Sequence, residues 1–272
     1  MAKILSFASW NVEHFHGRPE RVARVVDLLA ETRPDIFALY EVKGKDVYED
    51  LKRAMPGHNF VITERTDSSS MEILVGVRKS LSVFITQRDE FRSRLPTMRP
   101  GIFATVTKAD VEYCFLFLHL KSFDDPRSWG LRDDMFHHVA RLKRALDRRG
   151  DAEPNLLVLG DLNTMGLSAA YNDVSDIDGK QELAFVANRM RRANMRRLPP
   201  SHELSWWNGS DNYAPGSSLD HVFASEHMRF RSFRSGAEIK VVGWPDEPTD
   251  EAKRAWIEAY SDHALLYGEI VS

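Results

Sequence analysis

The chain has 272 residues, 43% of which are hydrophobic, and carries a formal net charge of -3 at pH 7 with a pI near 6.4. A chain of this size and composition can bury one large core, so we expect a single domain over residues 1–272. The slightly acidic balance argues against a protein that wraps nucleic acid through its overall charge, but it leaves room for a local basic surface.

The cysteine content and the hydropathy of the sequence indicate in which cellular compartment we expect the protein. The single cysteine, Cys114, lies in an apolar segment, so we expect a buried core residue and no intramolecular disulfide. The apolar segment at the N-terminus is too short for a signal peptide, and no run approaches the roughly 18 apolar residues that a membrane span needs. These features favour a cytoplasmic protein without membrane attachment.

Strands and helices follow one another along the chain. Val22, Val25, Val26 and Leu29 keep helical spacing behind Pro19, which suits the first turn of a helix. In chain order we predict a strand at 4–12, a helix at 19–32, a strand at 36–40, a helix at 45–55, strands at 72–77, 102–107 and 113–120, a loop at 124–134 that enters an amphipathic helix at 131–146, a strand at 155–160, a helix at 180–197, a loop at 199–217, and strands at 219–224, 237–242 and 264–270. Because this order mixes βαβ units with strand pairs, it suggests an α/β (α+β) fold with two packed sheets and helices outside.

The most informative segment is Asn155-Leu156-Leu157-Val158-Leu159-Gly160-Asp161-Leu162-Asn163. Its apolar run predicts a buried strand that ends at a glycine. Side chains alternate along extended backbone, so Asp161 and Asn163 should point the same way if the extension persists. A buried strand that ends in two such polar groups usually delivers them to a cleft.

Five other predicted strands carry polar residues at one end. These segments are Trp10-Asn11-Val12-Glu13, Tyr40-Glu41, Leu118-His119-Leu120-Lys121-Ser122, Ser218-Leu219-Asp220-His221 and Ser261-Asp262-His263. Each alone is typical of a turn, cap or core residue, and only their joint occurrence at strand ends indicates a common site. Carboxylate and amide oxygens without cysteine favour a hard cation such as Mg²⁺, and histidines beside carboxylates supply an acid or base near neutral pH. This set suits metal-assisted hydrolysis of a phosphoester.

With these motifs the chain resembles the endonuclease/exonuclease/phosphatase superfamily, which has the deoxyribonuclease I-like fold. The motifs stand in the family's order from residue 10 to residue 263, and Gly-Asp-Leu-Asn followed far downstream by Ser-Asp-His is a specific pairing. The resemblance implies a four-layer αββα sandwich, in which two packed mixed β-sheets have helices outside. His119-Leu120 resembles the branch that includes deoxyribonuclease I, RNA deadenylases and phosphodiesterases for lipids or protein–DNA adducts.

The resemblance also implies a metal site. Glu41 would be the principal Mg²⁺ ligand, with Asn11 close by and Asp262 facing the ion, and Mn²⁺ could replace Mg²⁺. The family commonly has Gln before the metal-binding Glu, whereas this chain has Tyr40, which should alter hydrogen bonds around the ligand without removing it. Glu13 stands where some abasic-site nucleases have Asp, so a weak second cation is conceivable.

Five catalytic roles follow from the resemblance. Asp161 would orient or deprotonate the attacking water, and Asn163 would hold the scissile phosphate. His263 would contact that phosphate as acid, base or charge stabiliser, with Asp220 fixing its tautomer. His119 would be the second phosphate-facing histidine.

Further signals concern the substrate. Arginines cluster at positions 189, 191, 192, 196 and 197, and such a run is about as often a solvated helix face as a phosphate-tracking patch. We predict substrate contacts for Arg189 in this cluster, for Lys121 and for Trp206, which could stack on a base.

Three hypotheses follow. The leading one is a Mg²⁺-dependent nuclease that acts on nucleic acid, with DNA the favoured substrate, without an obligate protein partner. The second keeps the chemistry but has RNA, inositol phosphates, phospholipids or nucleotides as substrate. The third is a non-catalytic binding module on the same fold, against which the intact set of polar residues argues. A calcineurin-like phosphoesterase would need Gly-Asp-x-His and Gly-Asn-His, and neither occurs.

Overall fold

The computed structural model describes residues 2–15, 18–43, 46–63, 71–95, 97–150, 152–169 and 176–272. Within these ranges the strands are β1 (Lys3–Phe15), β2 (Ile36–Val42), β3 (His58–Ile62), β4 (Glu72–Arg78), β5 (Ser82–Arg88), β6 (Gly101–Lys108), β7 (Val111–His119), β8 (Asn155–Asp161), β9 (Met195–Arg197), β10 (Asp220–Ser225), β11 (Lys240–Val242) and β12 (Leu265–Val271). The α-helices are α1 (Pro19–Thr32), α2 (Asp46–Ala54), α3 (Pro126–Asp147), α4 (Gly179–Arg191) and α5 (Asp250–Ala259).

The strands form two six-stranded sheets. One has the order β11-β12-β1-β2-β4-β3 and the other β5-β6-β7-β8-β10-β9. Both are mixed, because β1 and β2 run parallel in the first sheet and β7 and β8 run parallel in the second, while the other pairs are antiparallel. The predicted fold of two packed mixed sheets is confirmed.

The space between the sheets is filled by alternate residues of the strands. Leu5 and Phe7 of β1 and Leu157 and Leu159 of β8 point into this inner core. Residues of the opposite phase, such as Trp10, face the outer helices instead. This period of two matters for function, because polar residues that continue the inner phase past the core emerge at one edge of the sandwich.

Helices cover the outer face of each sheet. Val25 of α1 and Leu51 of α2 pack against the first sheet, and Val139 of α3 and Val186 of α4 pack against the second. The layers are therefore helix, sheet, sheet and helix, as predicted. None of the helices in the described ranges is long and apolar enough to cross a membrane.

Helix α3 begins earlier than predicted. Asp125 caps it by accepting bonds from the backbone N–H groups of Arg127 and Ser128, and Pro126 occupies the first turn. The predicted loop at 124–134 is thus helical from residue 126. A capping aspartate followed by proline satisfies the first backbone donors of a helix, which explains the earlier start.

The helix predicted at 180–197 ends too late. It stops at Arg191, Asn194 adopts a left-handed conformation with φ of 54°, and β9 then pairs with β10. The elements β3, β5 and α5 were not predicted. The strands β3 and β5 lie at sheet edges with half-exposed residues, and α5 has no buried residue, so none shows a clear apolar run. Residue 45 of the predicted second helix lies outside the described residues.

Candidate active site

Four predicted site residues continue the inner phase of their strands beyond the core. Asn11, His119 and Asp161 follow inward-facing apolar residues of β1, β7 and β8 at steps of two. Asp220 begins β10 and precedes its inward-facing residues at the same spacing. In the second sheet, Asp161 pairs in register with His119 on one side and with Asp220 on the other. The alternation that builds the core therefore also brings these side chains together, and all four are buried.

Two further residues enter the site through left-handed backbone rather than alternation. Glu41 has a φ of 63° and Asn163 a φ of 49°. Strand β8 ends at Asp161, so Asn163 does not share its extended phase; its N–H instead turns back to the Asp161 Oδ1 at 3.2 Å. The Asn163 Nδ2 donates to the carbonyl of Leu120 at 3.2 Å, which ties this turn to the end of β7.

Gly160 allows the close approach of β7 and β8 just before the site. Its φ is 144°, and a Cβ atom there would lie 1.9 Å from the Leu118 carbonyl oxygen. A side chain at this position would push the strands apart. The glycine of Gly-Asp-Leu-Asn is thus required by packing, whereas the aspartate and asparagine face the cleft.

His263 and Asp220 form a buried pair. The His263 Nδ1 lies 2.8 Å from the Asp220 Oδ2, which leaves Nε2 facing Asp161 at 3.9 Å. Burial alone would lower the pKa of His263, but the carboxylates of Asp220 and Asp161 raise it well above its usual value. His263 is therefore an imidazolium at neutral pH. Its backbone is fixed by the indole of Trp10, which donates to the His263 carbonyl at 2.9 Å.

Asp161 lies at the centre of the cluster. Its Oδ2 accepts a bond from Asn11 Nδ2 at 2.9 Å and lies 3.4 Å from His119 Nε2. Burial raises the pKa of Asp161 to about 7, although the neighbouring His263 charge opposes the shift. A carboxyl group with this pKa can exchange a proton near neutral pH, which suits a general base.

His119 remains neutral. Burial holds its pKa well below the usual value, and the positive charge of Arg99 adds to the effect. Its Nε2 faces Asp161 and lies 3.8 Å from Glu41 Oε1, while its Nδ1 is buried without a hydrogen-bond partner. The two histidines of the site thus differ in charge, since His263 is cationic and His119 is not.

The donor set fits a hard divalent cation. Burial alone would raise the pKa of Glu41, but bonds from the His14 N–H and the Asn11 side chain hold it below its usual value, so the carboxylate stays ionised. Buried carboxylate oxygens without a partner are found at Asp262 Oδ1 and Asp220 Oδ1. Oxygens that are desolvated yet unpartnered are what a bound cation would satisfy.

The predicted metal ligands are only partly brought together. Asn11 presents its amide nitrogen to Glu41 Oε1 at 3.2 Å, and its oxygen accepts the Glu13 N–H, so ligation through that oxygen would require a rotation of the amide. Asp262 is held by the Trp206 indole, which donates to its Oδ2 at 2.7 Å. A second arrangement of ligand atoms, from Asp161, Asp220 and His263, falls within 4.8 Å in the described chain. Because His263 and Asp220 already bond to each other, we interpret that group as an acid–base set.

Aromatic and cationic side chains line the rim. Trp206 is half-buried, and its ring lies 6.5 Å from that of His263 and 5.6 Å from that of Tyr213. At the loop after β7, Lys121 Nζ lies 4.5 Å from the centre of the exposed Phe123 ring. The neighbouring Trp207 is a core residue, so the two adjacent tryptophans have different roles.

Three rim residues were missing from the predicted site. Arg99 is half-buried and acts electrostatically on both Glu41 and Asp161, which places a positive charge over the site. Its signal was its position in a basic loop before β6. Phe123 and Tyr213 are exposed aromatics in loops that flank the motifs, and such exposure is not readable from sequence.

Arg189 is not part of this cluster. It lies on α4, and its Nη2 contacts the Asp133 carboxylate of α3 at 2.7 Å. Of the predicted cluster, Arg196 and Arg197 pair with Glu238 and Glu203. Lys121 and Trp206, by contrast, are at the rim. The structure thus separates the predicted substrate contacts into two regions.

A sequence model of the endonuclease/exonuclease/phosphatase family matches residues 8–263 of the chain. Among solved structures, that of D. rerio TDP2 complexed with a single-strand DNA product has 18% identity and a TM-score of 0.67, covering 98% of this chain and 99% of that one. A mannosyl-6-phosphatase of Bacteroides thetaiotaomicron has 15% identity and a TM-score of 0.62, covering 99% of this chain and 100% of that one. At such identities these structures establish the fold alone. No curated protein sequence matches closely enough to count as a relative.

Proposed function

Because the chain belongs to the endonuclease/exonuclease/phosphatase family, we propose that it is a Mg²⁺-dependent phosphodiesterase that hydrolyses nucleic acid, with DNA as its substrate. Membership alone makes the chain a phosphoric ester hydrolase in general terms. The observation that carries the narrower proposal is the juxtaposition of an acid–base set with an aromatic and cationic rim. Asp161, His263 and Asp220 supply the former, and Trp206 and Lys121 belong to the latter.

Asp161 would activate the attacking water. Its carboxylate is oriented by two donors, the Asn163 N–H and the Asn11 amide, and its pKa of about 7 lets it accept a proton at neutral pH. A general base whose pKa lies near the working pH combines the correct ionisation state with a useful driving force.

His263 would contribute positive charge on the opposite side of the phosphate. Its Nε2 is the free ring nitrogen, because Nδ1 is engaged by Asp220. A protonated Nε2 can donate to a phosphoryl oxygen, stabilise the charge that grows there and deliver a proton to the leaving oxygen. Asp220 acts by fixing the ring and keeping it protonated.

The scissile phosphate would be held by neutral donors and a distant cation. Asn163 Nδ2 uses one hydrogen for the Leu120 carbonyl, so its second hydrogen is available to a phosphoryl oxygen. His119 is neutral and can form a hydrogen bond without competing for the proton of His263. Arg99 adds attraction for an anionic substrate.

A divalent cation would be held by Glu41, with Asp262 facing it and Asn11 joining after rotation of its amide. When bound, such an ion polarises a phosphoryl oxygen and stabilises the developing charge.

The rim favours nucleic acid over a sugar or inositol phosphate. Trp206 and Tyr213 form an aromatic wall beside His263, and Phe123 lies exposed near Lys121. Flat aromatic surfaces beside a phosphate site suit nucleobases, which stack on them, whereas sugar phosphates need polar groups. The D. rerio TDP2 structure with a DNA product agrees with this choice.

A substrate panel tests the proposal. Purified protein is incubated with single-stranded DNA, duplex DNA, RNA, a mannosyl 6-phosphate and inositol phosphates, each with Mg²⁺, Mn²⁺ or a chelator. His263→Ala serves as the blank. We expect DNA cleavage with Mg²⁺ that stops with chelator and is absent in the variant.

Each other outcome has a defined meaning. Faster hydrolysis of a sugar or inositol phosphate than of any nucleic acid would replace the nuclease with a phosphatase. Preferred cleavage of RNA would overturn the choice of DNA. Binding of nucleic acid without hydrolysis of any phosphoester by metal-loaded protein would favour the non-catalytic binding module.

A further inference from the structure

A groove between α3 and α4 lies outside the catalytic cluster. It has a volume of about 580 Å³ and is lined by Trp129, Asp133, His137, Ala140, Arg144, Phe185, Asn188, Arg189 and Arg192. The α3 members recur at steps of three or four residues, as do the α4 members, so each set forms one face of its helix. Two helix faces therefore enclose a continuous groove.

The two helices that form the groove are strongly basic. Residues 126–149 and 179–192 contain eleven Lys and Arg against four Asp and Glu, whereas the whole chain has a net charge of -3. Part of this charge is neutralised internally, because Arg132 pairs with Glu182 and Lys143 with Asp147. The remaining positive charge is concentrated on this outer layer and would attract an anionic polymer.

The cations of the groove are not equally available. Arg189 is held by Asp133, which also lies 3.5 Å from His137 Nε2. Arg144 and Arg192 are exposed, and neither forms an ion pair with the residues that the structure describes. These two guanidinium groups can therefore bind phosphates without first breaking a salt bridge.

Aromatic side chains line the same groove as these cations. Phe185 is 55% exposed, an unusual fraction for a phenylalanine on a helix that packs on a core, and Trp129 lies in the same groove, half-buried. Guanidinium groups beside flat apolar surfaces match phosphates beside bases. An acidic peptide would use the charges but would leave Phe185 uncovered by an aromatic partner.

One end of the groove follows directly on the loop that belongs to the catalytic rim. Helix α3 begins at Pro126, immediately after the loop that carries Lys121 and Phe123, and its groove face extends from Trp129 to Arg144. At 1.5 Å per residue this face is about 22 Å long. A single strand that leaves the rim along α3 would therefore meet Trp129 first and Arg144 last.

We propose that the α3–α4 groove is a second nucleic-acid site, which binds a single strand with its bases against Phe185 and Trp129 and its phosphates on Arg144 and Arg192. A single strand is specified because a duplex conceals the base faces that Phe185 would stack on. This site binds but does not cleave, so it stands independently of the proposed hydrolysis.

Binding is measured by fluorescence anisotropy of a labelled oligothymidine of about twenty nucleotides, with chelator present so that no cleavage occurs. Two groove variants are compared with the unchanged protein, Arg144→Glu/Arg192→Glu and Phe185→Ala. We expect the double variant to weaken binding by more than about tenfold and to reduce the salt dependence. Phe185→Ala should weaken binding about tenfold through the loss of one stacked base.

The controls match the changes in charge and exposure. Lys52→Glu/Arg53→Glu places the same charge change on α2, on the other outer layer, and Phe84→Ala removes an even more exposed phenylalanine, 69% against 55%, from β5. Both controls should stay within about twofold of the unchanged protein. Equal losses in controls and groove variants would overturn the site, since they would indicate attraction by net charge alone.

Further arms separate the two proposals and identify the ligand. An abasic oligomer of the same length that binds as tightly would refute stacking, and an acidic peptide that binds where the oligomer does not would assign the groove to a protein partner. With Mg²⁺, the groove variants should hydrolyse a small aryl phosphodiester at the unchanged rate but show a higher KM for the long oligomer. If the unchanged protein hydrolyses no phosphoester but still binds the oligomer, the proposed function is wrong and the groove proposal stands.

Discussion

Two buried groups of charged side chains lie beneath the same loops, and they differ in how their polar atoms are partnered. In one, Arg132 is fully buried, forms two bonds with Glu182 and donates to the carbonyls of Lys121, Phe123 and Gly166. Glu182 in turn accepts the Gly166 N–H. We call these residues the Arg132 cluster. Its polar atoms are satisfied within the protein.

The catalytic cluster is the opposite case. His119 Nδ1, Asp220 Oδ1 and Asp262 Oδ1 are buried without a partner among the residues that the structure describes, and the pKa values of Asp161, His119 and His263 are displaced from their usual values. Unsatisfied buried groups cost free energy of folding, so their retention indicates that a ligand satisfies them. Buried charge thus holds loops in place in the Arg132 cluster, whereas in the catalytic cluster it is left available for the proposed chemistry.

The largest effect should come from Asp161→Asn. The variant lacks the base, so we expect kcat to fall by about a thousandfold or more. Folding should not suffer. The folded-state pKa of about 7 lies above the ordinary 3.8, so ionised Asp161 opposes folding increasingly between these pH values and fully above them. At a pH of about 8 the Tm of the variant should therefore equal or exceed that of the unchanged protein. A lower Tm with retained activity would show that Asp161 stabilises the fold and is not the general base.

Arg132→Met, unlike Asp161→Asn, should lower the stability of the protein. It leaves the Glu182 carboxylate buried without its cationic partner, with only the Gly166 N–H bond remaining, and this loss typically costs about 3–5 kcal/mol and should lower the Tm by roughly 10 °C. In the double variant Arg132→Met/Glu182→Leu, most of this stability should return.

The double variant also tests positioning. The carbonyls of Lys121, Phe123 and Gly166 remain without their donor, so we expect kcat to stay about tenfold to a hundredfold low even where the Tm has recovered. Assays well below the Tm of each variant separate the two effects. Recovery of both Tm and kcat would show that the Arg132 cluster supports folding but does not position the site.

The pH dependence distinguishes the two clusters without mutation. Asp161 must be ionised to accept a proton, and burial raises its pKa to about 7, while His263 stays protonated because its pKa is raised well above its usual value. We therefore expect kcat/KM to rise with pH to a plateau above about 7 and to be about tenfold lower one unit below that value. A profile that is flat between about pH 5.5 and 8 would remove Asp161 from the role of base.

The same contrast explains what the sequence could predict. The apolar alternation of β1, β7 and β8 is visible in sequence, and it leads directly to Asn11, His119 and Asp161 at strand ends. Glu41 and Asn163 were predicted from the order of the family motifs. Periodicity could not have found them, because both have a left-handed backbone conformation.

The Arg132 cluster was not predicted, because a buried arginine in a polar segment looks like a surface residue until tertiary packing encloses it. For the same reason β3, β5 and α5 were missed. The predicted substrate contact Arg189 lies on α4 and pairs with Asp133 of α3, outside the catalytic cluster. Local pattern is readable when a segment faces the core on its own. It fails where burial or proximity is created by a distant element.

The smallest effect should come from Trp206→Phe, a change at the rim of the catalytic cluster. The indole donates to Asp262 Oδ2, while Asp262 Oδ1 is buried without a partner. Phenylalanine keeps an aromatic ring beside His263 but removes the donor that orients the carboxylate. If Asp262 faces a cation, the half-saturating Mg²⁺ concentration should rise by up to about tenfold, with kcat at saturating Mg²⁺ nearly unchanged.

Trp207→Phe is the matched control. It removes an indole bond of similar length, 2.9 Å to the Ser210 carbonyl, from a side chain that belongs to the inner core. We expect this variant to lower the Tm while leaving the Mg²⁺ requirement unchanged, since the lost bond is remote from the carboxylates. An equal shift in Mg²⁺ requirement for both variants would attribute the effect to general loosening of the loop. No shift in either would mean that Asp262 Oδ1 is unsatisfied for a reason other than a cation.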